Sequence, residues 1–185
     1  CMTSNVKSPW KLMEFTVNCP LVAPRLFSPI LIRNLSLKFS DLGLSGELSQ
    51  AVADLGYTSP TPIQEKSIPI VLMGRDILGS AQTGTGKTAS FTLPMIDILA
   101  SGRAKARLPR SLILAPTREL AAQVADSFEK FSSYHKLSMA LLIGGVSFTE
   151  QNAALSKGVD VLIATPGRLL DHFERGKVLL NDVKI

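Results

Sequence analysis

The stretch AQTGTGKT, residues 81–88, determines how the rest of the sequence is interpreted. It follows a short apolar segment, residues 76–80, which we predict to be a buried strand. It precedes apolar residues at helical spacing, among them Phe91, Ile96 and Leu99. A glycine-rich loop in this position brings an anion to the free backbone N–H groups at a helix N-terminus. The stretch, called the phosphate loop below, therefore predicts a site for a nucleoside triphosphate.

The residue types of the phosphate loop suit particular contacts. Its small residues let the backbone wrap closely around the α- and β-phosphates. Lys87 would reach the β- and γ-phosphates, and the Thr88 hydroxyl would bind Mg²⁺. Lys87 and Thr88 are thus the candidate catalytic residues, and Thr88 is the candidate metal ligand. The predicted nucleotide-binding residues of the loop are Ala81, Gln82, Thr83, Gly84, Thr85, Gly86, Lys87 and Thr88.

Two alternatives for this loop follow from the same residues. The general phosphate-loop pattern begins with Gly, whereas residue 81 is Ala, so an ordinary glycine-containing turn stays open. Residues 84–89 also fit the dinucleotide pattern G-x-G-x-x-A, which is accompanied by an acidic residue about 20 positions later. No acid follows Asp97 until Glu119. We therefore favour the triphosphate site over the dinucleotide site.

The composition is that of a folded domain. The chain has 185 residues, of which 45% are hydrophobic, and its net charge is +5. These values fit one domain of ordinary size with a packed core. Residues 1–37 hold 4 Lys and Arg and 1 Glu, which leaves 16 basic and 14 acidic residues in 38–185. This balance is compatible with nucleic-acid binding but does not by itself argue for it.

Disulfide, metal and membrane classes receive no support from the sequence. Cys1 and Cys19 are the only cysteines, so we expect no disulfide framework and a reducing, cytoplasmic location. His135 and His172 stand apart from other ligand types and are interpreted as ordinary surface or core histidines. No apolar run reaches the roughly 18 residues that a membrane helix needs, so we expect a soluble protein.

We divide the chain into a leader of unknown status, residues 1–37, and a domain, residues 38–185. Prolines interrupt the leader without helical or alternating periodicity, so we predict that it is irregular. Pro29 and Arg33 break its best candidate for the apolar core of a signal peptide. Within the domain, the basic residues Arg103, Lys105, Arg107 and Arg110 lack interleaved aromatics and are interpreted as a solvated loop.

Helical and strand patterns alternate from residue 39 onward. Ser45 is a predicted helix N-cap, and Thr61, Pro62 and Gln64 form a predicted N-cap, first-turn proline and capping-box partner. Besides residues 76–80, continuous apolar runs predict strands at residues 111–115, 138–143 and 159–164. This alternation predicts an α/β fold of three layers, with a parallel β-sheet covered by helices on both faces.

Four loops follow the carboxyl ends of these strands and are expected to meet along one edge of the sheet. They comprise residues 81–88, 116–120, 144–145 and 165–168. Together with GYTSPTPIQ, residues 56–64, they resemble the N-terminal part of a DEAD-box ATP-dependent RNA helicase of a bacterial RhlE-like type. The resemblance covers residues 39–185, and its five segments occur in the family's order. It implies a RecA-like P-loop domain, and the family accepts Ala at position 81.

The resemblance implies ATP and Mg²⁺ as cofactors. Gln64 resembles the residue that reads adenine, and a carboxamide offers both a donor and an acceptor for that base. Its capping role with Thr61 is the alternative, and the two roles are compatible. Phe39 would stack on the base, while Tyr57, where the family more often has Phe, belongs to the same adenine-reading segment.

The resemblance further implies single-stranded RNA as a partner, contacted along its sugar-phosphate backbone and independently of sequence. The implied RNA-binding residues are Pro116, Thr117, Arg118, Gly144, Gly145, Thr165, Pro166, Gly167 and Arg168. Helix N-termini at Thr117 and Thr165 would offer N–H groups, and Arg118 and Arg168 would add charge. Taken without the resemblance, these residues are more ordinarily helix caps and ion-pair partners.

The segment Asp-Glu-Ala-Asp that gives the family its name does not occur in the sequence. The resemblance therefore implies a fragment, incomplete at its C-terminus, that binds ATP or ADP and is inactive or nearly so alone. The intact protein would be a monomer that couples ATP hydrolysis to local RNA duplex unwinding. The alternatives are a catalytically inert nucleotide- or RNA-binding module and another P-loop enzyme such as a small kinase. Gln64 and the RNA-binding loops argue against the kinase.

Overall fold

A computed structural model describes residues 37–102 and 108–185. Apart from Leu37, the predicted leader lies outside the described residues, and so do Arg103, Lys105 and Arg107. The described part contains a 3-10 helix, six α-helices and three strands. In chain order these are the 3-10 helix Phe39–Leu42, α1 Gly46–Asp54, α2 Pro62–Leu72, α3 Lys87–Ala100, β1 Ser111–Leu114, α4 Arg118–Phe131, β2 Met139–Leu142, α5 Phe148–Lys157, β3 Val161–Ala164 and α6 Pro166–Glu174.

The three strands form a parallel sheet in the order β1-β3-β2. Central β3 has the sequence VLIA, and all four of its residues are buried. Val161 and Ile163 face a core formed with α1 to α4, whereas Leu162 and Ala164 face a second core that includes Leu169 of α6. A strand buried on both faces has no polar alternation. The predicted parallel sheet between two helical layers is confirmed, with strand ends shifted by one or two residues.

The strand predicted over residues 76–80 is wrong. Among the described residues this segment has no strand partner, and Ile77 and Leu78 are 40% and 81% exposed. A cleft of about 370 Å³ separates Ile77 and Gly79 from β1. At the far edge of β1, the Leu112 N–H instead donates to the Ile185 carbonyl, at 2.9 Å. An apolar run becomes a strand only where a neighbour supplies ladder hydrogen bonds, so composition alone misled the prediction.

The predicted helix starts are confirmed in position, although the Ser45 hydroxyl makes no cap hydrogen bond. Ser45 precedes α1, whose Leu48 and Val52 are buried in the core. Thr61 precedes α2, Pro62 is the first helical residue, and the Thr61 N–H donates to Gln64 Oε1 at 2.9 Å. This hydrogen bond is one half of a capping box, which satisfies a backbone donor that the helix leaves free.

Arg110 is not part of a solvated loop, as the sequence had suggested. Its guanidinium forms an ion pair with Asp160, with 2.7 Å between Nη2 and Oδ1, and both side chains are largely buried. It also donates to the carbonyls of Leu99 and Gly102 at 3.0 Å. Burial alone would raise the pKa of Asp160, but hydrogen bonds from Ser138 and Arg110 outweigh it and lower that pKa. Arg110 therefore fastens the end of α3 to the start of β3.

Candidate functional site

The phosphate loop has the backbone geometry of an anion cradle. Gly84 and Gly86 adopt φ angles of 80° and 83°, in the left-handed region that favours glycine. Gly86 is the N-cap of α3, so the N–H groups of the first turn face the loop. The Thr85 hydroxyl donates to the Gln82 carbonyl at 2.8 Å and closes the turn. Thr83 is exposed at the outer side of the loop.

The segment around Gln64 is hydrogen-bonded to the phosphate loop. The Thr61 hydroxyl donates to the Thr85 carbonyl at 2.9 Å, and Gln64 Nε2 donates to the Gly86 carbonyl at 3.2 Å. Gln64 is only 2% exposed. A Cβ added to Gly86 would overlap the Gln64 amide nitrogen. The structure thus brings Thr61 and Gln64 into contact with the loop, as their assignment to one nucleotide site requires.

Lys87 and Thr88 lie in the first turn of α3. The Lys87 ammonium donates to the Ala81 carbonyl, so the cation spans the loop from its last residues to its first. Both residues also line the cleft of about 370 Å³ beside β1. The ammonium therefore lies in the loop, where a bound phosphate would replace the Ala81 carbonyl as its partner.

The described residues fit a Mg²⁺ ion that arrives with its nucleotide. Thr88 offers one hydroxyl ligand beside the loop, and no group of three His, Cys, Asp or Glu side chains in the described ranges could hold a metal by itself. Mg²⁺ usually keeps several waters and shares its remaining ligands between the protein and substrate phosphates. The donor set thus agrees with Thr88 as a ligand of a nucleotide-bound ion.

A second cleft, of about 410 Å³, lies where the loops after β1, β2 and β3 meet. We call it the rim cleft; it is lined by Pro116, Thr117, Arg118, Glu119, Gly144, Thr165, Arg168 and Asp171. Six of these eight are predicted RNA-binding residues, brought together from three separate loops. Gly145 lies close by, because a Cβ there would be 2.8 Å from an Arg118 nitrogen. Pro166 and Gly167 are exposed and do not line the cleft.

The side chains that line the rim cleft carry two positive and two negative charges, so positive potential there comes mainly from the backbone. Helices α4 and α6 begin at its wall, and their first-turn N–H groups carry partial positive charge. Thr117 caps α4 by accepting from the Leu120 N–H at 3.2 Å. Against the two arginines stand Glu119 and Asp171, which the sequence analysis missed. Their type and spacing resemble those of any solvated helix residue, so the sequence carried no signal for them.

A family model described as DEAD/DEAH box helicase matches residues 61–185. The chain belongs to this family. The ATP-dependent rRNA helicase rrp-3 of Neurospora crassa is 51% identical over 139 residues, which cover 75% of this chain and 26% of that protein. The ATP-dependent RNA helicase DeaD of Klebsiella pneumoniae is 46% identical over 144 residues, covering 77% and 22%. The chain therefore spans about a quarter of the length of these relatives.

Solved structures agree on the fold of this DEAD/DEAH box chain. A DEAD box protein from Methanococcus jannaschii superposes with a TM-score of 0.73 at 39% identity, covering 79% of this chain and 39% of that one. The RNA helicase Prp28 from Chaetomium thermophilum, bound to ADP, gives 0.74 at 40%, covering 79% and 36%. The RecA-like fold is confirmed. The assignment to a RhlE-like subgroup stays a prediction.

Two aromatic residues of the predicted adenine site pack against other side chains in the structure, and their contact with a base stays a prediction. Phe39 is 5% exposed and is part of the core beneath α1 to α4, so little of its ring is open for stacking on a base. Tyr57 lies against Phe131, with ring centroids 6.0 Å apart. Phe131 ends α4, about 20 Å along the helix from Thr117. Tyr57 therefore lies near the C-terminal end of α4 and is 48% exposed.

The two arginines of the rim cleft differ in exposure. The Arg118 side chain is 59% exposed and reaches the Gly144 carbonyl at 3.4 Å. The Arg168 side chain is 10% exposed. It donates to Gln151 Oε1 at 3.0 Å and to the Val146 carbonyl. Arg168 is thus held in the cleft wall by hydrogen bonds, whereas the Arg118 side chain is mostly exposed to solvent.

His172 is a core histidine, as the sequence indicated, with its Nε2 hydrogen-bonded and its buried Nδ1 without a partner among the described residues. It is fully buried, and its Nε2 lies 2.7 Å from Gln151 Oε1. Because that oxygen is an acceptor, Nε2 carries the proton. Burial lowers the pKa of His172, and Arg168 lowers it further, although Asp171 partly opposes them. The ring is therefore neutral at physiological pH.

Proposed function

We propose that this chain is the nucleotide- and RNA-binding part of an ATP-dependent RNA helicase. The observation that carries the proposal is the pair of hydrogen bonds from Thr61 and Gln64 to the phosphate loop, because they unite two distant segments at the N-terminus of α3. Curated relatives are described as ATP-dependent rRNA or RNA helicases. Membership of their family together with this geometry supports ATP as the ligand.

ATP would bind with its phosphates in the loop formed by residues 81–88. The N–H groups between Gly84 and Thr88 would donate to the phosphate oxygens. Lys87 would exchange the Ala81 carbonyl for the β- and γ-phosphates. Mg²⁺, held by Thr88 and the phosphates, would neutralise part of their charge. The hydrogen bond from Gln64 would hold Gly86 in place, so that the phosphate loop stays open on its other side.

Adenine selection by Gln64 is the finer part of this proposal. In the structure its Oε1 accepts from Thr61 and its Nε2 donates to Gly86. A carboxamide has a second lone pair and a second N–H, so the cap and the base contact are chemically compatible. At the same edge guanine presents two acceptors, N7 and O6, so the carboxamide oxygen of Gln64 would face O6 without a donor.

Calorimetric titration of ADP and then GDP into the purified chain tests the nucleotide site. We expect saturable binding of ADP and at least about tenfold weaker binding of GDP, since one mispaired edge costs about 1.4 kcal/mol or more. The variant Lys87→Ala tests the phosphate role of Lys87. Its matched control is Lys66→Ala on α2, which removes a Lys outside the loop. Equal binding of ADP by these two variants would contradict the phosphate role of Lys87.

Single-stranded RNA would lie across the rim cleft. The first turns of α4 and α6 would donate to its phosphates, and Arg118 would supply the exposed cation. Fluorescence anisotropy with a labelled oligonucleotide measures this binding. Affinity should be nearly the same for oligonucleotides of different sequence and should fall as salt rises. A strong preference for one base at one position would contradict binding through the backbone.

Hydrolysis and duplex unwinding belong to a longer protein in this proposal. We expect the 185-residue chain alone to turn over ATP slowly or not at all, because its sequence has no Asp-Glu-Ala-Asp segment to supply acidic groups to Mg²⁺ and water. The longer protein would be a cytoplasmic monomer. A chimaera in which residues 39–185 replace the matching part of Klebsiella DeaD should hydrolyse ATP and separate short duplexes, and Lys87→Ala should abolish both. If the chain alone hydrolysed ATP as fast as the chimaera, the proposal that hydrolysis belongs to a longer protein would be refuted.

A further inference from the structure

We propose that Gln151 is a positioning residue that holds Arg168 at the wall of the rim cleft; its consequence for RNA rests on the function proposed above. Gln151 is 4% exposed and lies on α5, a helix that does not line the cleft. Its Nε2 donates to the Ile143 carbonyl at 2.9 Å, which anchors the side chain to the end of β2. Its Oε1 is thereby aimed at α6.

The carboxamide oxygen accepts from two residues of α6. Arg168 Nε donates at 3.0 Å, and His172 Nε2 donates at 2.7 Å. Residues 168 and 172 are one helical turn apart, so both face α5. A buried carbonyl oxygen with two lone pairs is satisfied by two donors, so Gln151 Oε1 has its full set of partners at this junction.

Phe148 completes the support for the guanidinium. The Arg168 guanidinium carbon lies 3.6 Å from the centroid of the Phe148 ring, and His172 lies 4.9 Å from it between centroids. Arg175 contacts the same ring at 4.2 Å. The neutral state of His172 avoids a third positive charge beside these two guanidinium groups. Arg168 is consequently fixed by a ring, an amide and the Val146 carbonyl.

The arrangement links the Gly-Gly turn to the start of α6. Arg168 bonds the loop through Val146, and Gln151 bonds the strand end through Ile143. Without Gln151, the guanidinium would lose the acceptor of its Nε–H and have only one carbonyl and a distant carboxylate, Asp171, at 4.0 Å. It would then sample positions outside the cleft wall, and the phosphate-facing charge would fall.

The first measurement compares two arginine side chains of the unaltered chain. In the unaltered chain, the Nε–H of Arg168 should exchange with solvent at least about tenfold more slowly than that of the exposed Arg118, because it is buried and hydrogen-bonded. The NMR signals are assigned with Arg168→Lys and Arg118→Lys. Equal exchange rates would overturn the proposal. In Gln151→Met, which keeps the side-chain volume, the Arg168 signal should exchange as fast as that of Arg118.

The second measurement is the salt dependence of RNA affinity. Gln151 has no charge, so a smaller salt slope in Gln151→Met reports the loss of a cation elsewhere. We expect the slope to fall by about 0.7, the value for one phosphate contact on a single strand. Arg168→Met should give the same fall, and the double variant should fall no further. Affinity should decrease about fivefold in each variant. Gln123→Met on the exposed face of α4 and Arg75→Met, at an exposed residue outside the rim cleft, are the matched controls.

The outcomes separate the two proposals. If Gln151→Met leaves the slope unchanged while Arg168→Met lowers it, the positioning role is overturned and RNA binding stands. If the effects of the two substitutions simply add, Gln151 does not act through Arg168. If the unaltered chain binds no single-stranded RNA, RNA binding is overturned, and the exchange rates alone decide whether Gln151 holds Arg168.

Discussion

The phosphate loop and the rim cleft are built in different ways. The loop is a run of eight consecutive residues whose shape is set by its own glycines and by two hydrogen bonds from one neighbouring helix start. The rim cleft takes its walls from three loops, and its buried arginine depends on side chains of α5. The first is therefore specified by local sequence, whereas the second is specified by contacts between distant elements. Substitutions should separate them.

Gly86→Ala should have the largest effect. A left-handed backbone angle costs an Ala about 1 to 2 kcal/mol, and the new Cβ would overlap the Gln64 amide. We expect ADP binding to fall below detection in calorimetry while RNA binding changes by less than about twofold. Gly46→Ala is the matched control, because nothing lies within 4 Å of a Cβ at that helix start. Parallel loss of RNA binding would show that the two sites are not separate.

Gln64→Ala should come second. It removes the capping partner of Thr61 and leaves the Gly86 carbonyl without its donor, which together cost about 2 kcal/mol. The melting temperature should fall by several degrees, and discrimination between ADP and GDP should narrow. The control is Gln50→Ala, whose amide bonds only an exposed Asp54. Unchanged discrimination would leave Gln64 with its structural role alone.

Arg118→Ala should have a smaller and purely electrostatic effect. The side chain is exposed and pairs only weakly with Glu119 at 4.0 Å, so stability should change little. RNA affinity should fall a few-fold, with a salt slope lower by about 0.7. Lys130→Ala, in the last turn of the same helix, should leave both unchanged. Equal effects of Arg118→Ala and Lys130→Ala would contradict a specific role of Arg118, since the overall charge would then explain RNA binding.

The Asp160 ion pair should give the smallest effect, and it should appear only in acid. Because hydrogen bonds lower the pKa of Asp160 in the folded protein, its contribution is present above the ordinary value of 3.8 and is lost as pH falls through the folded pKa. Thermal unfolding of Asp160→Asn should therefore be less sensitive to pH below about 4 than that of the unaltered chain. Identical pH profiles would show that the pair contributes nothing beyond its uncharged hydrogen bonds.

Features set by neighbouring residues were predictable from the sequence. The phosphate loop, the Thr61 and Gln64 capping box and the parallel sheet depend on spacing, cap chemistry and apolar runs, which a sequence displays directly. The strand prediction for residues 76–80 was wrong because a strand needs a neighbouring strand, which composition does not reveal. The burial of Phe39, at 5% exposure, was not predictable from its resemblance to a base-stacking residue, and its contact with a base stays a prediction.

The position of the rim cleft was predictable from the sequence, but the side-chain contacts that form its walls were not. Three loops at the carboxyl ends of parallel strands were expected to meet, and they do. Arg168 is buried, whereas Arg118 is exposed, because Arg168 contacts Gln151 and Phe148. These two residues precede Arg168 by 17 and 20 positions and belong to no motif. Such contacts form only when α5 packs beside α6, so local patterns do not contain them.

The phosphate loop is anchored on one side only, and this has a consequence for ligand affinity. Its downstream end continues into α3 and is bonded to Gln64, while upstream Ile77 and Leu78 are exposed and lack a ladder among the described residues. Amide hydrogens of residues 76–80 should exchange early. A nucleotide that needs the ordered loop then binds only the fraction of molecules in which it is ordered, and its apparent dissociation constant rises by the inverse of that fraction.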